Sequence, residues 1–186
     1  MMQAGTQQVT LPGAGQLYDE LLVTMLQAGD RAAAERLARR WQPRLLRTAR
    51  RLLGEDESAV SAVQDSWLAI LRGIGSLRDP ARFAPWAFAI LRRRCADTIR
   101  RAQTRRGTEA PLETEHAALP EPDAAIDLRN AFAALPADQR LAAQLFFVEG
   151  LTLAEIAEVQ EVPLGTAKTR LFHARRKLKA ALKGDE

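Results

Sequence analysis

Thiol and imidazole are almost missing from this 186-residue chain, which has one cysteine and two histidines. Cys95 alone excludes a disulfide within the chain, and His116 and His173 beside it are too few for a Cys/His zinc set. A reducing compartment is therefore expected, with no metal and no cofactor. Aromatic residues are only 5% of the chain and β-branched residues are scarce, which disfavours a sheet; the 47% apolar share rests mainly on Ala and Leu, strong helix formers. Long apolar runs are absent: nothing approaches the ~20 uninterrupted residues of a membrane span, and residues 1–15 lack a basic stretch followed by an apolar one. A soluble, unsecreted, cytoplasmic protein without membrane insertion is expected. No Gly-rich phosphate loop, Ser/His/Asp set or paired-carboxylate site stands out, so an enzyme is the least favoured class.

What is present is helical periodicity in two blocks. Residues 16–28 and 30–53 carry apolar side chains at three- and four-residue spacing, with Gly29-Asp30 as a stop followed by an N-cap. Pro43 lies inside the second stretch and is expected to bend or restart it. A third helix is predicted from about Asp56 to Leu71, with Val60, Val63, Trp67, Ile70 and Leu71 as its apolar stripe, and a fourth from about Ala81 to Arg101 after the breakers Gly73, Gly75 and Asp79-Pro80. Between Gly107 and Asp127 the composition turns acidic and Pro-containing without a single Lys or Arg, which reads as a poorly folded linker. Periodicity resumes at 126–134, restarts after Pro136 through Val148, and continues in two shorter segments. The expectation is an all-α protein with a disordered tail over 1–15, one helical domain over 16–106, an acidic flexible linker over 107–125 and a second helical domain over 126–183.

The most specific local signal lies in that second domain. Thr152 and Glu155 have the spacing of a capping box, Ala157 is small enough for a close helix crossing, and Pro163 suits the first turn of a following helix. This is the pattern of a helix-turn-helix. In its second helix Ala167, Leu171, Ala174 and Leu178 share a face and should pack inward, leaving Lys168, Thr169, Phe172, His173, Arg175 and Arg176 outward. Seven Lys or Arg and no acid occur between Pro163 and Lys183, in a chain of formal charge +4. Any amphipathic helix needs a solvated face, and cations favour a helix C-terminus; the capping box, the small crossing residue and the basic helix together point to DNA. Arg92, Arg93, Arg94, Arg100, Arg101, Arg105 and Arg106, relieved only by Asp97, form a second positive stretch suited to a phosphate backbone.

Two sets of residues carry a family resemblance. Leu135-Pro136-Ala-Asp138-Gln-Arg140, Gly150-Leu-Thr152-Leu-Ala-Glu155-Ile-Ala157 and Gly165-Thr-Ala-Lys168-Thr-Arg170-Leu-Phe-His-Ala-Arg175 resemble region four of the extracytoplasmic-function (ECF) sigma factors, within the sigma-70 family. Ala28-Gly29-Asp30-Arg-Ala, Pro43-Arg-Leu-Leu, Val63-Gln64-Asp65, Trp86 and Asp97-Thr-Ile-Arg100-Arg101 resemble their region two. The resemblance spans residues 16–183 and implies core RNA polymerase, promoter DNA and an anti-sigma factor as partners, with a role in a stress or envelope response. It implies that Thr166, Lys168, Thr169, Arg170, Phe172, His173 and Arg176 meet the minus-thirty-five element, Arg170 and Arg176 on phosphate. It further implies that Arg82, Trp86, Arg93, Arg94, Asp97, Arg100 and Arg101 meet the minus-ten element, with Trp86 and Phe88 as stacking aromatics and Ser76 to Arg82 as a base-receiving loop. Gln64 and Asp65 would dock on polymerase.

Three positions depart from the family pattern. Val60-Ser61 replaces a common Glu-Asp pair, Arg93 replaces a common Asn, and Glu161 stands at a helix-helix turn where Gly is common, which suits a turn that is not left-handed. The first two also motivate a second reading, a sigma-like adaptor or decoy that binds an anti-sigma factor or polymerase without opening promoters. A dimeric helix-turn-helix repressor is disfavoured because both sigma regions are matched.

Overall fold

The computed structural model describes residues 13–106 and 123–183, and every regular element among them is helical. Helix α1 spans Ala14–Gln27, α2 Arg31–Leu53, α3 Asp56–Gly73 and α4 Phe83–Arg106; α5 spans Asp123–Ala133, α6 Ala137–Ala143, α7 Leu153–Gln160 and α8 Leu164–Lys183. Short 3-10 turns at Ile74–Ser76 and Pro80–Arg82 lead into α4, and a π turn over Gln144–Val148 extends α6. The tail over 1–12 and the linker over 107–122 lie outside the described residues; α1 and α5 reach slightly into the expected tail and linker, beginning at Ala14 and Asp123.

Local chemistry sets these boundaries. Asp30 caps α2 by accepting the amides of Ala32 and Ala33 at 2.8 and 3.2 Å, satisfying donors that have no partner inside the helix. Gly54 ends α2 at φ 77°, a left-handed conformation in which a Cβ would be strained. The expected break at Pro43 does not occur, and α2 runs through it. Pro43 is on the exposed side of the helix, where the carbonyl that loses its amide partner can be solvated. Asp79 caps the turn before α4 through the Ala81 amide at 3.0 Å.

Trp41 is the centre of the N-terminal packing, 1% exposed, with Phe83 edge-on at 4.9 Å and Phe88 at 5.7 Å between ring centroids. Leu22, Leu37, Leu45, Val63, Ile70 and Leu91 are buried in the same core. The inward face of α3 is Ala59, Ala62, Val63, Ser66 and Ile70; Val63 and Ile70 of the expected stripe are buried, whereas Val60 and Leu71 are exposed. Small side chains let α3 approach α2 closely, and Ser66 satisfies its buried hydroxyl by donating to the Ala62 carbonyl at 2.7 Å. Trp67 is half-buried and its indole N–H donates to Gln42 at 2.6 Å.

The C-terminal helices do not stand apart. Leu141, Leu145, Leu151, Ile156 and Ala167 are continuous with the core of the first four helices, while Phe132, Leu135, Ala174 and Leu178 form a smaller cluster between α5 and α8. Helix α6 lies on α2 and α7 on α4. Arg140 binds the two units at a seam, donating to the carbonyls of Ala133 and Leu135 at the end of α5 and to that of Arg51 at 3.1 Å.

Candidate nucleic-acid and polymerase interface

The helix-turn-helix forms with the expected chemistry. Thr152 accepts the Glu155 amide at 3.3 Å and the Glu155 carboxylate takes the Thr152 amide at 2.8 Å, so the capping box is complete. Ala167, Leu171, Ala174 and Leu178 are the buried face of α8, as their spacing indicates. Thr166, Lys168, Thr169 and Arg176 are exposed, His173 is half-buried, and Phe172 is 62% exposed with His173 edge-on at 5.6 Å. Gly165, Lys168, Phe172, Arg175 and Lys179 thus follow one another down a solvent-facing stripe. Arg170 is elsewhere. Its guanidinium reaches Asp138 at 2.6 Å and Gln160 at 3.0 Å, tying α8 to α6 and α7. The expectation that it grips phosphate therefore meets a side chain already committed inside its own domain.

The second basic region is α4 with the loop before it. Gln27 holds that loop, its amide donating to the carbonyls of Ile74 and Leu77, both at 2.8 Å. Leu77, Arg78, Asp79, Arg82, Pro85 and Trp86 line a cavity of about 320 Å³. Trp86 is half-buried, packed on Phe83 at 6.1 Å between centroids. Phe88 is not available for stacking: at 1% exposure it belongs to the core against Trp41. Asp97 pairs with Arg100 at 2.7 Å and lies 3.9 Å from Arg94, and Arg101 is exposed.

Carboxylates of the C-terminal half meet this surface. Glu158 pairs with Arg82, and Glu161 pairs with Arg92 at 2.7 Å and Arg93 at 2.6 Å. Hydrogen bonds from Arg93 and Arg92 hold the Glu161 carboxyl below its ordinary range, and the bond that Arg82 donates to Glu158 raises the Arg82 guanidinium further. Glu161 has φ 54° and ψ 48°, so the turn is left-handed after all. It is the one non-glycine residue with positive φ among the described residues.

A third face lies on α3. Gln64 and Asp65 are exposed, and Val60, Leu68 and Leu71 beside them are 36%, 51% and 48% exposed. An apolar stripe left in water next to two polar residues has the make-up of a protein-docking surface. The sequence pattern hid it because Val60 and Leu71 read equally well as core.

Residues 37–105 match the family model for Sigma-70 region 2, and residues 125–178 match that for Sigma-70, region 4. The ECF RNA polymerase sigma factor SigM of Mycobacterium tuberculosis is 34% identical over 169 residues, covering 89% of this chain and 85% of that protein. This chain belongs to the ECF sigma factors. The RNA polymerase sigma-H factor of Pseudomonas aeruginosa is 28% identical over 188 residues, covering 90% and 95% of the two chains. Among solved structures, the sigma factor RpoE of Bartonella quintana, in complex with the anti-sigma factor NepR, superimposes with a TM-score of 0.68 at 26% identity, covering 82% of this chain and 98% of that one. The ECF sigma factor described here accordingly binds core RNA polymerase and directs promoter-specific transcription initiation, a non-catalytic role. No helix among the described residues is long and apolar enough to cross a membrane.

Proposed function

We propose that the three faces divide the work of initiation. The exposed stripe of α8, led by Lys168, Thr169, Phe172 and His173, reads the minus-thirty-five element, with Thr166 and Arg176 on the flanking backbone. Trp86, Arg82 and the cavity before α4 receive bases of the minus-ten strand, while Arg93, Arg94, Arg100 and Arg101 hold its phosphates and Asp97 orients Arg94 and Arg100. Gln64 and Asp65, with the apolar stripe of Val60, Leu68 and Leu71, dock on polymerase. The observation that carries this reading is the placement of Lys168 and Phe172 in water on a helix whose opposite face is wholly committed to the core. The domain limits of 16–106 and 126–183 follow from the same reading. Restraint by an anti-sigma factor is supported by likeness to the RpoE–NepR complex, and a cytoplasmic protein released in a stress or envelope response belongs to the same proposal.

Run-off transcription with core polymerase separates the faces. Lys168→Ala is expected to weaken promoters that depend on an upstream element and to leave polymerase binding intact. Gln64→Ala with Asp65→Ala is expected to weaken polymerase binding and leave binding to duplex DNA intact. If both variants lose only thermal stability, the division is wrong. Polymerase binding without any transcript would favour the decoy reading.

A further inference from the structure

Part of the α4 face assigned above to the minus-ten strand is occupied by the protein's own carboxylates, at Arg82 and Arg93, while Arg94, Arg100 and Arg101 meet none from the C-terminal half. Glu158 sits on Arg82, both of them lining the cavity before α4, and Glu161 sits on Arg92 and Arg93. A DNA strand on this surface needs the same cations, because backbone affinity comes from Lys and Arg neutralising phosphate. The carboxylates of α7 and of the turn after it therefore stand where phosphates would. The reading face of α8, by contrast, stays in water.

Two further observations make this more than a chance surface pairing. Glu161 adopts a left-handed backbone that disfavours every L side chain with a Cβ and suits glycine. The acid is a local liability in the helix-turn-helix, and its ion pairs are all with α4. The closure is also anchored behind the latch: the Glu149 side chain is fully buried and takes Arg44 at 2.9 Å and Arg47 at 3.0 Å from α2.

We propose that Glu158 and Glu161 form an intramolecular latch that competes with the melted promoter strand for α4, so that the free sigma factor cannot engage that strand until polymerase draws the two halves apart. The latch rests on the reading of α4 as a strand-binding face. The difference between the two basic faces follows: the free chain can sample duplex DNA through α8, but strand capture is withheld.

The test uses the full chain in two parallel assays. Closure is read without DNA by energy transfer between dyes on Arg39→Cys in α2 and Lys179→Cys in α8, both exposed sites. Cys95 does not compete for label, since it is buried and its thiol is pushed up to about 12. Strand binding is read by anisotropy of a fluorescein-labelled random-sequence single-stranded DNA. Glu161→Gly is the fold-safe variant, because glycine suits the left-handed turn, and it is combined with Glu158→Gln. A Glu35→Gln, Glu57→Gln protein removes two exposed carboxylates away from the latch and corrects for net charge.

The double latch variant is expected to show lower energy transfer and to bind the strand about tenfold more tightly than the charge control, ~1.4 kcal/mol. Unchanged energy transfer, or a gain in affinity equalled by the control, overturns the latch. Lower energy transfer with no strand binding by any variant overturns instead the assignment of α4 on which it rests.

Discussion

Replacing Glu149 by alanine should uncouple the two halves of the molecule. Its carboxylate is fully buried and accepts from Arg44 at 2.9 Å, Arg47 at 3.0 Å and Gln144 at 3.2 Å, with Thr48 at 3.4 Å. Removing one partner of a buried ion pair costs about 3–5 kcal/mol when the other charge is stranded. Here the Arg44 and Arg47 side chains are 26% and 43% exposed and can turn toward water, so about 2–3 kcal/mol is the expected loss, charged mainly to the contact between α2 and the C-terminal half. With a urea dependence of roughly 1–3 kcal/mol per molar, the C-terminal transition should move down by about 1 M. The assay is built into the sequence. Trp41, Trp67 and Trp86 all lie in the N-terminal half, so tryptophan fluorescence reports chiefly on the folding of that half, while far-ultraviolet circular dichroism reports both. In the unaltered chain the two signals should fall together; in Glu149→Ala the dichroism should begin to fall first. Superimposable curves with an unshifted midpoint would refute the view that this buried cluster holds the halves together.

Arg170→Ala should cost about 1 kcal/mol of C-terminal stability by freeing Asp138 and Gln160. It should leave the salt dependence of duplex binding unchanged, whereas loss of a true phosphate contact lowers that slope by about 1. Thr152→Ala should cost about 1 kcal/mol, read as a lower midpoint for the dichroism signal, because the Glu155 amide loses its cap. The Glu161 carboxyl is held below the ordinary carboxylate value by Arg93 and Arg92. Its contribution to closure is therefore complete above that ordinary value of about 4.3 and is lost only as pH falls through the lowered one. Energy transfer across the latch should be flat from neutral pH down to about 5; opening between those limits would show that another group controls it.

Much of the site was legible because it is built from local chemistry. Asp30 and Gly54 bound α2, the Thr152–Glu155 box starts α7, and the spacing of Ala167, Leu171, Ala174 and Leu178 fixes which face of α8 looks outward. Each depends on residues within a turn or two of one another, and the sequence order contains that information directly. The errors come where local pattern is ambiguous. Val60 and Ala59 are adjacent and both suit a core, so only packing against α2 decides that Ala59 goes in and Val60 goes out. Arg170 reads as a phosphate ligand until Asp138, 32 residues earlier, is found beside it.

By itself the sequence determined an all-helical chain, a complete helix-turn-helix and the excess of cations on α4 and α8, since composition, periodicity and capping act at short range. The tertiary structure decided which of those cations are free. Glu149 is 105 residues from Arg44, Glu158 is 76 from Arg82 and Glu161 is 68 from Arg93. No periodicity reaches so far along the chain. Those pairs exist because apolar burial brings α6 onto α2 and α7 onto α4, and the docking of helices, not the order of residues, sets each carboxylate against its guanidinium.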